Sequence, residues 1–596
     1  MAEERAIGQL IESILVADCG AVFTKLLLLE SVEDETAQFS YRFVAQAETL
    51  TTLDAPWNDL SVGVVNAIEE IEQITGRTLY RAGRLITPQY GLEGVDAFVV
   101  VLSAPEPLSL VIAGLVREMS LESARRAVSG TYADIKTILS RERSLDSPQT
   151  TWSRTVRDIA PDVVLLVGGV DGGARRPVME LAEAIALAAS MVEQEQRPVV
   201  LYAGNTELRP HITKLIGDIT HVKVVDNVHP TVDTEHLGPA QSALEQLYID
   251  ERMNTAPGAE TLLTWSRLPL LPTATAFARV VNYLRRREDN ADRGVLGIDV
   301  GAATTTVAAS FEDRSYVTIY DKGIAYGPLA WVQEHGVAPL FQWLPEEMEE
   351  EELLVLLHNW ELRPWTVPQD PRELWVEQAV VREMLRSALA MARPTWDTGK
   401  INAAPDMLPG VDPILISGGG LVHMPRPGQA LLSTLDGLQP TGISTILLDI
   451  NRAAPALGAV AGLKPLAAVS ALESGTPGAG ALVSLGTVIS PVGKARPGEV
   501  VLRMRIAYED GGTLDVEARY GDIEIWPLLP GQKATLTLRP NRRFDVGMGF
   551  GRGGKVQVVG GLIGLVVDAR GRPLALPEDA DRRRRALHGW IWDVGG

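Results

Sequence analysis

Apolar and polar positions fall into two regimes along this chain. Between Ser13 and Leu472, wholly apolar runs of strand length alternate with stretches whose apolar residues recur every three or four positions. The runs in Ile14–Glu30, Val95–Ala104, Asp162–Gly173, Pro198–Asn205, Val295–Ser310, Pro413–Gly420 and Ser444–Ile450 predict buried strands. Val62–Thr75, Leu121–Val128, Val178–Val192 and Leu374–Ala392 carry the helical spacing. Strands that are apolar on both faces, alternating with helices, predict α/β layers with helices on both sides of a sheet. Beyond Gly480 the period becomes two. Leu502–Tyr508, Leu514–Tyr520 and Ala534–Leu538 alternate strictly, and Asp510-Gly511 marks a hairpin turn between the first pair. This segment predicts a C-terminal all-β domain, a sandwich or open barrel.

Two joints divide the chain. RRREDNADRG (Arg285–Gly294) is highly charged, and ESGTPGAGA (Glu473–Ala481) is small and glycine-rich. The expected units are residues 13–290, 294–472 and 480–596. The first two open alike: an apolar strand, then Asp-x-Gly, then small or hydroxyl residues and a second apolar strand, seen in ILVADCGAVFTKLLLLE and VLGIDVGAATTTVAAS. Aromatic and β-branched third strands follow at Tyr41–Gln46 and Ser315–Tyr320. The pattern predicts a duplicated α/β lobe.

Composition narrows the function. The chain has 596 residues, 46% of them apolar and 22% charged, with a formal net charge of −21. That field repels phosphate backbones and anionic lipid heads, so neither nucleic-acid nor membrane binding is expected as the main activity. The lone cysteine, Cys19, allows no internal disulfide and suits a reducing compartment, so a cytoplasmic location is expected. The most apolar long stretch, Ala453–Leu472, contains Pro455, Lys464 and Pro465, and reads as buried helix rather than a membrane span.

The Asp-x-Gly turns are the strongest candidate chemistry. Glycine lets a hairpin backbone approach a phosphate, and the preceding carboxylate can hold Mg²⁺ through water. The candidates are Asp18, Gly20, Thr24 and Lys25 in the first turn and Asp299, Gly301, Thr304 and Thr305 in the second, with Asp18 and Asp299 facing the metal. One such turn is common; two in equivalent places predict lobes that clasp a nucleotide. Gly418, Gly419 and Gly420 close a strand of the second lobe, where adenosine could lie against bare backbone. GGVDGG (Gly168–Gly173) is read as closing the matching strand of the first lobe, with Asp171 orienting water or binding a second substrate. GMGFGRGGKV (Gly547–Val556) mimics a phosphate loop, but a strand-like rather than helical run follows it, so it is read as a glycine loop. Cys19 has no nearby histidine and is read as an accessible, oxidisable thiol rather than a nucleophile. His229 and His236 are read as turn and capping residues, and Trp590 and Trp592 as docking the C-terminus.

These motifs together resemble the actin, sugar-kinase and heat-shock-chaperone ATPase superfamily. TTLDAPWNDLSVGVVNAIEEIEQITGRTL, LLVGGVDGG, VLYAGN, DNVHP, GIDVGAATTTV, ISGGG, NWELRPWTVP and VVDARGRPL resemble, across nearly the whole chain, the MutL-type accessory protein of coenzyme-B12-dependent glutamate mutase. The resemblance implies two ribonuclease-H-like lobes with ATP and Mg²⁺ in the cleft. It also implies an assembly or reactivation role on a partner protein, a cobalamin-dependent mutase, with homo-oligomerisation left open. The motifs depart from the family's pattern at Ala21, Val22, Ala302 and Thr306, the last replacing a carboxylate. That loss weighs against hydrolysis more than against binding, since backbone donors survive substitution. The expected function is a slowly hydrolysing ATP-dependent switch; a small-molecule kinase and a nucleotide-free scaffold are the alternatives.

Overall fold

The computed structural model describes residues 11–33, 39–141, 148–290, 292–398, 407–473 and 480–595. Most of the Glu473–Ala481 joint therefore lies outside the described residues. The chain forms two compact units: one is built from the residues up to Ala104 and from Pro257 onward, the other from Pro105–Ala256.

The first unit begins with β1 (Ser13–Cys19), β2 (Phe23–Glu33) and β3 (Phe39–Leu50), an antiparallel meander. Every side chain of β1 is buried, as befits a central strand covered on both faces. Helix α1 (Leu60–Thr75) starts where the Asp59 carboxylate accepts the Ser61 N–H, and ends at left-handed Gly76. Strand β4 (Ala97–Leu102) then joins β1 in parallel.

The second unit is inserted here in sequence. Its strands β5 (Leu108–Gly114), β6 (Ala133–Ser140), β7 (Val163–Leu166), β8 (Val199–Tyr202) and β9 (Val222–Val224) form one all-parallel sheet, ordered β9-β8-β7-β5-β6. This doubly wound order reverses direction between β5 and β7. The expectation that GGVDGG closes the partner of the SGGG strand is corrected by this pairing. The GGVDGG strand is β7, in the inserted sheet, and the matching position beside β1 is held by β4. Any buried parallel strand carries the same apolar run, so periodicity does not say which sheet receives it.

On return, β10 (Leu271–Pro272) pairs with β4 and leads into α2 (Thr273–Arg287). The first lobe's sheet is thus β3-β2-β1-β4-β10. The next lobe repeats it. Strands β11 (Gly294–Val300), β12 (Thr305–Phe311) and β13 (Arg314–Tyr320) form a meander. After α3 (Pro371–Ala392), β14 (Val411–Ser417) pairs with β11 and β15 (Gly442–Asp449) with β14, both in parallel.

The helices between the lobes are exchanged. α2, which ends the first lobe, packs on β11, β12 and β13, while α4 (Ala454–Leu463) packs on β1 and β4, and α5 (Pro465–Leu472) on β3. This explains the apolar Ala453–Leu472 stretch, which is a buried helix pair. α2 and α4 also cross each other: a Cβ on Gly458 would stand 1.9 Å from the Ala276 carbonyl oxygen, so only glycine permits the approach.

The C-terminal strands divide in two. β16 (Leu482–Ser490), β22 (Gly564–Asp568) and β19 (Ile523–Trp526) extend the second lobe's sheet to the order β13-β12-β11-β14-β15-β16-β22-β19. β17 (Val500–Tyr508), β18 (Thr513–Arg519), β20 (Lys533–Pro540) and β21 (Lys555–Val559) form a separate antiparallel sheet, β18-β17-β20-β21. The phosphate-loop mimic runs directly into β21, not into a helix. A buried ionic chain fastens the C-terminal segment to the second lobe. The Arg382 Nε donates to Asp436 (2.7 Å), Arg570 lies 2.7 Å from Asp436 in ionic contact and donates to Asp568 (2.9 Å), and Arg572 donates to Asp568 (2.6 Å). Helix α6 (Ala580–Asp593) closes the chain, with the Trp590 ring under the Arg570 guanidinium and its Nε1 donating to the Gly521 carbonyl. Trp592, by contrast, is 80% exposed and docks nothing.

Candidate nucleotide site between the two lobes

The two acidic hairpins are built alike. In the first, Gly20 N–H donates to the Phe23 carbonyl at 3.0 Å; in the second, Gly301 N–H donates to the Thr304 carbonyl at 2.9 Å. In each, the carboxylate residue is the second before the turn glycine, near the carboxyl end of a central strand. Cross-strand register sets its neighbour: Asp18 faces Lys25, and Asp299 faces Thr306. Lys25 Nζ sits 2.7 Å from Asp18 Oδ2, with both side chains largely buried.

The same register places the neighbouring hydroxyls on the opposite faces. Thr24 pairs with Cys19 and Thr305 with Val300, one position out of step with the carboxylates. Their side chains are fully buried. Thr51 donates to the Gly20 carbonyl, which leaves Thr24 donating to Thr51 at 3.0 Å, and Thr305 donates to the Lys322 carbonyl at 3.0 Å. Both hydroxyls therefore brace the hairpins from behind, whereas Thr304 is half-buried at its turn. Cys19 lies on the same hidden face and is 0% exposed, which corrects the accessible-thiol expectation. Burial, with Asp18 adding to it, pushes its pKa up to about 12.

A third carboxylate, absent from the sequence expectations, completes the group. Asp449 ends β15, accepts the Ser417 hydroxyl at 2.9 Å, and takes the Ala453 and Ala454 N–H groups, each at 2.8 Å, at the start of α4. Ser417 is in turn the cross-strand neighbour of Asp299. Asp449 was visible in STILLDI as a strand-end aspartate, but without Asp-x-Gly after it. Asp299 is half-buried near the carboxyl end of its strand. Burial raises its pKa to about 6; Lys25 opposes the shift, and Asp18 and Asp449 add to it. Burial also raises Asp449, against its backbone and Ser417 hydrogen bonds. Asp18 and Asp299, from separate lobes, thus interact electrostatically with one another, with Asp449 and with Lys25.

The glycine turn after β14 fits its place for steric reasons. Gly418 has φ +87°, and a Cβ there would lie 2.4 Å from the Val300 carbonyl oxygen. Gly420 has the Ile324 and Val300 side chains at 2.8 and 3.0 Å from its would-be Cβ, whereas at Gly419 the nearest atom is 3.6 Å away. Val381 of α3 reaches the same turn, and Glu377 lies one helical turn earlier on that face. Burial alone raises the Glu377 pKa to about 7. No motif marks this residue in the sequence.

Asp171 belongs to the inserted unit. It is exposed, accepts the Thr206 N–H and the Asn227 amide at 3.0 Å each, and its own N–H donates to the Pro230 carbonyl. Burial is the largest single influence and raises its pKa, but those hydrogen bonds together with nearby Arg209 outweigh it and bring the carboxyl below the ordinary value. His229 in the same unit bonds to Ser123 and the Val232 carbonyl. Among the described residues, no group of three or more His, Cys, Asp or Glu side chains is arranged to hold a metal ion. None of the described helices is long and apolar enough to cross a membrane.

Two sheets of one strand order, exchanged helices and an acidic hairpin from each lobe define the actin-like ATPase fold, followed here by C-terminal antiparallel strands. A family model described as MutL protein matches residues 14–475, and the chain belongs to that family. Protein MutL of Clostridium tetanomorphum is 23% identical over 449 residues, covering 70% of this chain and 88% of its own. Solved structures with some likeness include a diol dehydratase-reactivating factor in nucleotide-free form (11% identity, TM-score 0.29, 76% of this chain and 100% of its own). Another is xylulose kinase of Bifidobacterium adolescentis (12% identity, TM-score 0.28, 80% and 96%). At these scores the structural likeness carries no argument, and the fold class rests on strand order.

Proposed function

We propose that this MutL-type accessory protein binds MgATP between its lobes and acts as a slowly hydrolysing switch on a partner enzyme, a cobalamin-dependent mutase of the glutamate type. The observation that carries the reading is the buried Lys25–Asp18 pair at 2.7 Å, whose ammonium also offsets the burial of Asp299 and Asp449. Three carboxylates against one ammonium leave a negative excess, and their oxygen-only donor set fits a hard divalent cation held through water. Asp18 and Asp299 would hold Mg²⁺, which would supply charge neutralisation for a triphosphate. Lys25, the Gly20 and Gly301 turns and Thr304 would meet the phosphates. Gly418–Gly420 would flank adenosine, with Glu377 beside it.

Hydrolysis is assigned no base. Asp171 is a poor proton acceptor because its carboxylate is already hydrogen-bonded and its pKa is lowered, so we assign it to holding the Gly168–Gly173 loop. Thr24 and Thr305 are assigned to bracing the hairpins. The test is calorimetric. Wild-type protein should bind ATP only with magnesium, and Asp299→Ala should abolish binding while circular dichroism shows an intact fold. Unchanged affinity in that variant removes the site.

A further inference from the structure

An alternating row of charge runs out of the cleft and across to the other lobe. Asp18, Lys25 and Glu48 are successive cross-strand neighbours on β1, β2 and β3, so they lie in line on one face of the first lobe's sheet. Arg452, in the turn between β15 and α4 of the second lobe, continues the row with a two-pronged ion pair to Glu48; the Nη1–Oε1 contact is 2.8 Å. Beside it, the Gln46 amide donates to the Asn451 carbonyl at 3.2 Å. The Arg452 side chain is 11% exposed and that of Glu48 is 24% exposed, so this pair is far better shielded than an ordinary surface bridge.

The backbone at Arg452 is also unusual. Its φ is +51°, a conformation that glycine or asparagine adopts more easily. An arginine kept in such a turn, with its fork on a carboxylate of the other lobe, points to a role for the side chain. Burial opposes the charge on Glu48, but Arg452, Lys25 and His423 together hold its pKa below the usual carboxylate range. Lys25 therefore acts on Asp18, on Asp299 and on Glu48 at once.

We propose that Glu48 and Arg452 form a lobe clamp that senses the terminal phosphate of the bound nucleotide through Lys25. This rests on the nucleotide reading of the cleft. A terminal phosphate draws the Lys25 ammonium toward itself. Glu48 then loses a share of its positive surroundings and depends more strongly on Arg452, so the lobes are held together harder. A diphosphate leaves Lys25 on Asp18, and the clamp is unchanged. Linkage requires the converse: an intact clamp must raise affinity for ATP more than for ADP.

A double-mutant cycle tests this on the full chain. MgATP and MgADP affinities are measured by calorimetry for wild type, Glu48→Gln, Arg452→Gln and the double variant. Each single variant should lose about tenfold in MgATP affinity, the double variant no more than either, and MgADP affinity should stay constant. Unchanged MgADP affinity and an unchanged circular dichroism spectrum in each single variant guard against a folding artefact. Equal losses for both nucleotides, or additive losses for ATP, overturn the clamp alone. A wild-type protein that takes up no MgATP overturns the reading of the cleft, and the clamp with it.

Discussion

Asp299 faces Thr306 across its hairpin, where Asp18 in the equivalent place faces Lys25 2.7 Å away. The duplication is therefore symmetric in backbone and asymmetric in charge: one lobe supplies acid and base, the other acid alone. The burden of neutralising the cleft falls on Lys25.

Replacing that lysine should expose the imbalance. In Lys25→Met, three carboxylates lose their common cation, so the apo protein should melt earlier and depend more steeply on magnesium. MgATP affinity should fall by about tenfold or more. Thr306→Lys should act in the opposite direction, raising the apo melting temperature and weakening the magnesium dependence. Thermal melts at several magnesium concentrations decide; unchanged melting in both variants would remove Lys25 from this role.

Two carboxylates with opposite shifts should write two limbs into the pH profile of apo stability. The folded-state pKa of Asp299 is raised to about 6, so the folded protein holds that proton more tightly than the unfolded chain does. Stability should then rise as pH falls from about 7 toward about 4, between the folded and unfolded pKa values, and Asp299→Asn should flatten this limb. Asp568 is different: burial opposes its charge, but Arg570 and Arg572 hold it well below the usual carboxylate range. Its contribution is complete above about pH 4, the unfolded carboxylate pKa, and is lost as the medium becomes more acid. Asp568→Asn should remove this acid limb and, by leaving buried arginines without their partner, cost about 3–5 kcal/mol at neutral pH.

Cys19 should be inert. Its thiol is fully buried, with the pKa pushed up to about 12, so thiolate is scarce at neutral pH and reagent cannot reach it. A disulfide-exchange reagent should leave the native protein unlabelled and titrate one thiol after denaturation. Rapid labelling of native protein would show that the first hairpin opens.

The helix crossing at Gly458 should tolerate no methyl group. Gly458→Ala drives a Cβ into the Ala276 carbonyl, and overpacking of this kind costs about 1–3 kcal/mol. Gly589 in α6 offers the contrast, since nothing lies within 4 Å of its would-be Cβ. Gly589→Ala should stabilise by up to about 1 kcal/mol through helix propensity alone. Denaturant titrations of the two variants should therefore shift in opposite directions.

Much was legible before any coordinates. The apolar runs at Ile14–Glu30 and Val295–Ser310 determined two equivalent strand–turn–strand openings, because a strand covered on both faces can be read from hydrophobicity and an Asp-x-Gly turn from local chemistry. The β-period after Gly480 marked the strands of the C-terminal segment for the same reason. Local pattern does not encode which strands become neighbours. Only the tertiary structure placed the Val163–Leu166 strand in an inserted sheet, ran β16, β22 and β19 into the second lobe's sheet, and exchanged α2 with α4 and α5 across the lobes. Register, not composition, turned Thr24, Thr305 and Cys19 to the sheet faces opposite the Asp18–Lys25 and Asp299 side chains. Asp449, Glu48 and Arg452 each sit beside a partner remote in sequence, and Glu377 is buried where α3 meets the glycine turn after β14, so no motif contains them. Hydrophobicity and turn chemistry act between near neighbours along the chain, whereas electrostatic sites are made of side chains that only folding brings within a few ångströms of one another.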